Sequence, residues 1–80
     1  MRRHYILYGT FGCHLCDQAR ALVEPVLERQ QAQLEEVDIF GDDELETRYG
    51  VRIPVLYQVG SGRELGWPFD VDRLQGFLAS

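Results

Sequence analysis

The fold of this chain is decided by residues 5–16, Tyr5-Ile6-Leu7-Tyr8-Gly9-Thr10-Phe11-Gly12-Cys13-His14-Leu15-Cys16. This stretch joins a short apolar run to the only two cysteines of the sequence, and a helical pattern begins directly after them. The order predicts a strand, a tight loop and a helix, with both cysteines at the helix start. At C-x-x-C spacing in that context, Cys13 and Cys16 indicate a dithiol redox site.

The length and charge of the chain limit the number of domains and the classes of function that it can have. Eighty residues predict a single domain over 1–80. The net charge of −5 argues against nonspecific nucleic-acid binding, which depends on basic surface. All eight basic residues are arginine, so chemistry that needs a lysine amine is excluded. No apolar run approaches the roughly 20 residues of a membrane span, and we expect a cytoplasmic protein without a membrane partner.

The first helix is predicted from its apolar periodicity. Residues 4–9 form the strand before it, and the helix starts near His14. The residues that recur at the spacing of one helical face are Leu15, Ala19, Leu22, Val23, Val26 and Leu27. Pro25 lies late in this pattern, which predicts a kink or a poorly formed last turn.

The second half of the chain predicts two more helices and three more strands. A strand over 34–40, apolar at Val37, Ile39 and Phe40, leads into a short helix that opens at the acidic residues 42–46. Gly50 is expected to end that helix in a left-handed conformation, with Val51 folding back against it.

Strands over 54–59 and 63–66 flank the turn signal of residues 60–62, and a last helix over 71–78 is capped by Asp70. The order β-α-β-α-β-β-α predicts an α/β protein whose four-stranded mixed sheet is flanked by helices.

This pattern resembles the thioredoxin-like fold and, within it, small bacterial glutaredoxin-like proteins. The resemblance rests on Cys13-His14-Leu15-Cys16-Asp17 at the first helix and on Tyr49-Gly50-Val51-Arg52-Ile53-Pro54-Val55 before the third strand, and it extends from His4 to about Leu78. It implies a thiol-disulfide oxidoreductase, expected as a monomer, that acts on protein or small-molecule disulfides. Glutathione or a reductase is then the candidate electron donor, and no bound cofactor is expected.

The chain departs from glutathione-using glutaredoxins at three places. Those proteins usually have Pro-Tyr between the two cysteines, where this chain has His14-Leu15. They have a lysine three residues before the first cysteine, where this chain has Thr10, and a Gly-Gly pair where it has Gly66-Trp67. A glutathione carboxylate therefore loses its usual cationic partner.

The chemistry assigns different roles to the two cysteines. Cys13 at the helix start is predicted as the attacking nucleophile, because free N–H groups and the helix dipole favour its thiolate. Cys16, one turn later on the same helix face, is predicted to resolve the mixed disulfide.

Further residues are predicted to bind substrate: Thr10, Phe11, His14, Ile53, Pro54 and Trp67. Pro54 is expected to follow a cis peptide bond and to face Cys13, leaving the Ile53 backbone free to pair with an extended substrate. Thr10 either hydrogen-bonds within the loop or contacts substrate, and alternatives also stay open for the aromatic and imidazole side chains. Phe11 is either core or the exposed lip of a groove, Trp67 serves either packing or recognition, and His14 either stabilises the thiolate or is an exposed residue that tunes the potential.

Two other functions compete with the oxidoreductase. One is a binding module that uses the groove at Pro54 without turnover. The other is an iron–sulfur or metal carrier, which requires an oligomeric site because one C-x-x-C supplies only two of the four ligands of a closed site. No metal site within one chain is predicted.

Overall fold

The computed structural model describes residues 2–79 and has seven regular elements. In chain order they are β1 (His4–Gly9), α1 (His14–Arg29), β2 (Gln33–Asp38), α2 (Asp43–Tyr49), β3 (Val55–Gln58), β4 (Glu64–Gly66) and α3 (Val71–Ala79). The strands form one sheet in the order β2-β1-β3-β4, with β1 parallel to β2 and antiparallel to β3, and β3 antiparallel to β4. The predicted fold class is confirmed.

The register brings four chain segments to one end of the sheet. Gly9 pairs with Asp38, Tyr8 pairs with Val55, and Val55 pairs with Gly66. The loops that contain Cys13 and Pro54, and those that follow β2 and β4, therefore lie together. We call this the cysteine end of the sheet.

The sheet separates two apolar clusters. Tyr5 and Leu7 of β1 belong to the larger cluster, together with buried residues of α1 and α3, while Tyr8 packs in the smaller cluster against Tyr49 of α2. Alternate residues of a strand point to opposite faces, so α1 and α3 cover one face and α2 covers the other. Burial on both faces holds β1 in place just before the cysteine loop.

The first helix differs from its predicted pattern at one end. Leu15 is 46% exposed, and the buried face begins at Cys16 and Ala19 instead. Leu15 precedes Cys16 by one residue, so when Cys16 packs against Gly9 of β1 the Leu15 side chain points to a different side of the helix. Past Pro25 the helix continues to Arg29, and the N–H of Gln30 still donates to the Val26 carbonyl (3.2 Å), so the predicted poorly formed last turn is wrong.

The segments around α2 also differ from expectation. β2 ends at Asp38, so Phe40 lies outside the sheet and is 79% exposed. Gly50 is right-handed (φ −49°, ψ −45°) and Val51 is fully exposed, which corrects the predicted left-handed helix end. The reason is that the chain adds another turn, in which the N–H groups of Arg52 and Ile53 both donate to the Tyr49 carbonyl.

β3 and β4 are both shorter than predicted. β3 begins only at Val55, because Pro54 has no N–H to donate to a neighbouring strand, and the turn between the strands includes Val59 and Arg63. The cap of α3 is confirmed, since Asp70 accepts a hydrogen bond from the N–H of Arg73 (2.8 Å). Within residues 2–79, none of the helices has the length and hydropathy that crossing a membrane requires.

Candidate functional site

Cys13 and Cys16 lie at the start of α1, where the sequence predicted them. Cys13 is the N-cap residue, with extended backbone (φ −82°, ψ 114°), and Cys16 lies in the first turn. Their Cα atoms are 5.2 Å apart and their sulfurs are paired as a disulfide. This separation is within the range that disulfides usually adopt.

The two cysteines differ in exposure. Cys16 is 6% exposed, whereas Cys13 is only half-buried. The N–H of Cys16 donates to the Cys13 sulfur (3.1 Å). After reduction, that N–H and the positive end of the helix dipole favour negative charge on the Cys13 sulfur. The geometry thus gives the Cys13 sulfur the features of a nucleophile.

Gly9 leaves room for the Cys16 sulfur, a role that was not predicted from the sequence. A Cβ atom on Gly9 would lie 2.9 Å from Cys16 Sγ and 3.2 Å from its Cβ, closer than side chains normally approach. The end of β1 therefore needs glycine so that α1 can pack its first turn against the strand. The feature of the sequence that could have predicted this close contact is a glycine at the end of an apolar strand, shortly before C-x-x-C.

Asp38 anchors the loop between β1 and α1, and it too was missed. Its carboxylate accepts a hydrogen bond from the N–H of Phe40 (2.8 Å). That bond, followed by those from the Thr10 side chain and the Phe11 backbone, holds the pKa of Asp38 below its usual value against a smaller opposing effect of desolvation. The backbone carbonyl of Thr10 also accepts a hydrogen bond from the N–H of Cys13 (3.3 Å). The loop before the nucleophile is thus tied to the end of β2.

Pro54 lies at the cysteine end of the sheet, directly before Val55, the first residue of β3. The Ile53–Pro54 peptide bond is cis and Pro54 is buried. The N–H of Ile53 donates to the Tyr49 carbonyl (3.0 Å), so that N–H is not free to pair with a substrate as expected. The N–H of Trp67 donates to the Pro54 carbonyl (3.1 Å), and the Trp67–Pro68 bond is also cis, which the sequence analysis did not anticipate.

The remaining predicted site residues lie at the same end but in different settings. Phe11 is 97% exposed, the position expected of a lip and not of a core residue. His14 is exposed, and its ring contacts the side chain of Gln18 one turn along the helix (3.0 Å). Trp67 is half-buried and packs edge-on against Phe69 (5.0 Å between ring centroids), which favours the packing interpretation.

A cavity of about 460 Å³ opens beside Cys16, between α1 and β2. The residues that line it include Leu7, Val37, Asp17, Arg20 and Glu36. Arg20 pairs with Asp17 and, through Nε, with Glu36 (2.9 Å). Among residues 2–79, no group of three or more histidine, cysteine or acidic side chains is arranged to hold a metal ion.

The order of the elements and the cysteine pair define a thioredoxin-fold protein. The chain belongs to the glutaredoxin-like domain family (DUF836), whose model matches residues 4–79. No curated protein matches the chain.

Several solved structures are similar. Target protein XcR50 from X. campestris is 44% identical, with 94% of this chain and 95% of that chain covered and a TM-score of 0.77. Protein Ne2328 from Nitrosomonas europaea is 31% identical, with 96% and 92% covered and a TM-score of 0.80. A mutant thioredoxin from Halobacterium salinarum is 24% identical, with 94% and 70% covered and a TM-score of 0.72, and shows likeness of fold alone.

Proposed function

We propose that this protein is a thiol-disulfide oxidoreductase that uses Cys13 as nucleophile and Cys16 as resolving thiol. The observation that carries the proposal is the asymmetry of the pair: Cys13 is only half-buried and its sulfur receives an N–H at a helix start, whereas Cys16 is buried with its sulfur within bonding reach. A structural disulfide has no need of that asymmetry, whereas exchange chemistry does.

The proposed reaction moves two electrons and two protons from the dithiol to a substrate disulfide. The Cys13 thiolate attacks one substrate sulfur, the substrate S–S bond breaks, and the first substrate thiolate leaves and takes up a proton. The Cys16 thiol then loses its proton and attacks the Cys13 sulfur. This step forms the Cys13–Cys16 disulfide seen in the structure and releases the second substrate thiol.

The disulfide must then be reduced again by an external thiol. Two glutathione molecules, oxidised to glutathione disulfide, or a reductase dithiol balance the cycle, as expected for a protein of the reducing cytoplasm. Thr10 offers no cation to a glutathione carboxylate, so glutathione enters this proposal as an electron donor and not as a bound cofactor.

Redox equilibration tests the dithiol chemistry. The protein is incubated in graded mixtures of glutathione and glutathione disulfide, quenched by alkylation and weighed intact. We expect a two-electron shift between the dithiol and the Cys13–Cys16 disulfide, with a glutathione adduct on Cys13 in the Cys16→Ser variant. A protein that stays entirely dithiol across the series contradicts the proposal.

Turnover is tested with a model protein disulfide such as insulin, with dithiothreitol as the electron source. We expect catalysed reduction by the wild type and loss of catalysis in Cys13→Ser, whose fold is checked by circular dichroism. Equal rates for the two proteins, or no rate above dithiothreitol alone, contradict enzymatic function and favour a binding module.

A further inference from the structure

Within residues 2–79, the large apolar side chains that are most exposed to solvent lie at the cysteine end of the sheet. Phe11 (97%), Phe40 (79%) and Val51 (101%) lie in the loops there, and Leu15 (46%) lies between the two cysteines. Single exposed apolar residues are common, but a group of them in one region marks a surface for interaction. This group lies at the same end of the sheet as the Cys13 sulfur, which under the proposed function must touch the substrate.

The cavity beside Cys16 opens next to this apolar surface. Phe11 lines both, and Cys16 forms part of the cavity wall. Its volume of about 460 Å³ is enough for one long side chain of a substrate whose disulfide lies over Cys13. Gly12, the residue before Cys13 in the chain, also lines the cavity, so the cavity opens beside the residue that would hold the substrate disulfide.

The charge in the cavity selects the kind of side chain that fits. Three carboxylates, Asp17, Glu36 and Asp38, and one guanidinium, Arg20, line it, which leaves a formal charge of −2. Arg20 already lies between Asp17 and Glu36, so these carboxylates accommodate a guanidinium. A second cation is attracted to the remaining negative charge, and an anion is repelled.

We propose that the cysteine end binds a protein segment in which a basic residue, arginine above all, neighbours the cysteine of the disulfide. The apolar surface contacts the segment, and the cavity between α1 and β2 takes the basic side chain. This inference rests on the proposed oxidoreductase function and gives it a substrate class.

Charge also argues against a second copy of this chain as the occupant. The chain carries a net charge of −5, and the N-terminal turn of α2, which follows Phe40, adds Asp43, Glu44 and Glu46 near the same end. Two such surfaces repel each other, whereas a basic segment is attracted to either.

The test compares two synthetic disulfides. Each is the symmetrical dimer of a short peptide with one cysteine, followed by arginine in one and by glutamate in the other. The pre-reduced protein is mixed with each peptide at low ionic strength, and the second-order rate constant for loss of the dithiol is measured. Each constant is divided by that of dithiothreitol with the same peptide, which removes differences in intrinsic reactivity.

We expect the corrected rate constant to be about tenfold higher for the arginine peptide and this preference to weaken as salt is added. The variant Glu36→Gln removes one cavity carboxylate and should lower the preference by about three- to fivefold. Glu35→Gln is the matched control, because it makes the same change of net charge on the neighbouring residue of β2, whose side chain points to the other face of the sheet and contacts His4.

The outcomes distinguish failure of the proposed binding site from failure of the proposed oxidoreductase function. A preference near one in the wild type, or one that Glu35→Gln lowers as much as Glu36→Gln, overturns the cavity as a site for basic side chains. Bis(2-hydroxyethyl) disulfide, which is small and uncharged, serves as the reference substrate. If the reduced protein exchanges with neither peptide nor with this reference, the proposed function itself fails and this inference with it.

Discussion

Cys13 and Cys16 have the same side chain but are exposed to water to different degrees. Cys13 is half-buried at the helix cap and receives the N–H of Cys16, whereas Cys16 is packed against Gly9. In the reduced protein, these differences favour both access to the Cys13 sulfur and its thiolate form.

We therefore expect iodoacetamide at neutral pH to modify Cys13 at least about tenfold faster than Cys16 in the folded, reduced protein. Peptide mapping after short reaction times measures the ratio. Denatured protein supplies the control, since both thiols should then react at similar rates. Equal labelling in the folded state contradicts the role given to the helix start.

Gly9 and Gly66 allow a matched test of close packing at the cysteine end. A Cβ on Gly9 would meet Cys16 Sγ at 2.9 Å, whereas one on Gly66 would meet nothing within 4 Å. We expect Gly9→Ala to lower the free energy of unfolding of the oxidised protein by roughly 1–3 kcal/mol, as overpacking does, and Gly66→Ala to change it by less than about 0.5 kcal/mol. Urea unfolding of both variants measures the difference, and equal losses contradict it.

At the scale of elements, a hydrogen bond and an ion pair among three residues connect α2 and the turn after it to β4. The hydroxyl of Tyr49 donates to Glu64 Oε2 (2.7 Å), and Arg52 pairs with Glu64 Oε1 (2.6 Å). The Tyr49 ring also stacks on Tyr8 of the central strand (4.4 Å between centroids). Since Ile53 and Pro54 follow directly, this network holds the segment that leads to the cis peptide bond.

Burial, followed by the bond to Glu64, raises the pKa of Tyr49 from 10.0 to about 12. A raised folded-state pKa means that the stabilising contribution is complete below pH 10 and is lost as the pH rises towards 12. We expect Tyr49→Phe to lower the free energy of unfolding by roughly 1–2 kcal/mol at pH 8.

The difference between wild type and Tyr49→Phe should then shrink above pH 10, because Tyr49 ionises in the unfolded wild type before it ionises in the folded one. Denaturant unfolding at a series of pH values gives the difference directly. A difference that stays constant from pH 8 to pH 11.5 contradicts the role assigned to the hydroxyl.

At the scale of the whole molecule, a single face of the sheet carries most of the core. Leu74 of α3 is fully buried in the larger cluster, together with Tyr5, Leu7 and α1, while Val71 one turn earlier is 38% exposed. A domain of this size has a total stability of only about 5–15 kcal/mol, so one large cavity is a substantial fraction of it.

We expect Leu74→Ala to lower the free energy of unfolding by roughly 2–5 kcal/mol, and Val71→Ala by less than about 1 kcal/mol. Urea titrations followed by circular dichroism compare the two variants of the same helix. Similar losses for both would show that α3 does not depend on its buried face.

The sequence by itself determined the order of the elements, the start of α1 at the cysteines and the turn between β3 and β4. These features follow from local physics: the apolar period, the cap and the glycines of the turn depend on residues close together in the chain. The proposed roles of Cys13 and Cys16 also follow from their three-residue spacing at a helix start.

Only the tertiary structure decided which distant residues complete the site. Gly9 approaches Cys16 because α1 packs back onto β1, and Asp38 reaches the Thr10 loop because it pairs with Gly9 across two parallel strands. The exposure of Leu15 and of Phe40 was predicted wrongly, because it depends on how α1 packs against β1 and on where β2 ends. Contacts between residues far apart in sequence depend on register and packing, which the local pattern of either segment does not encode.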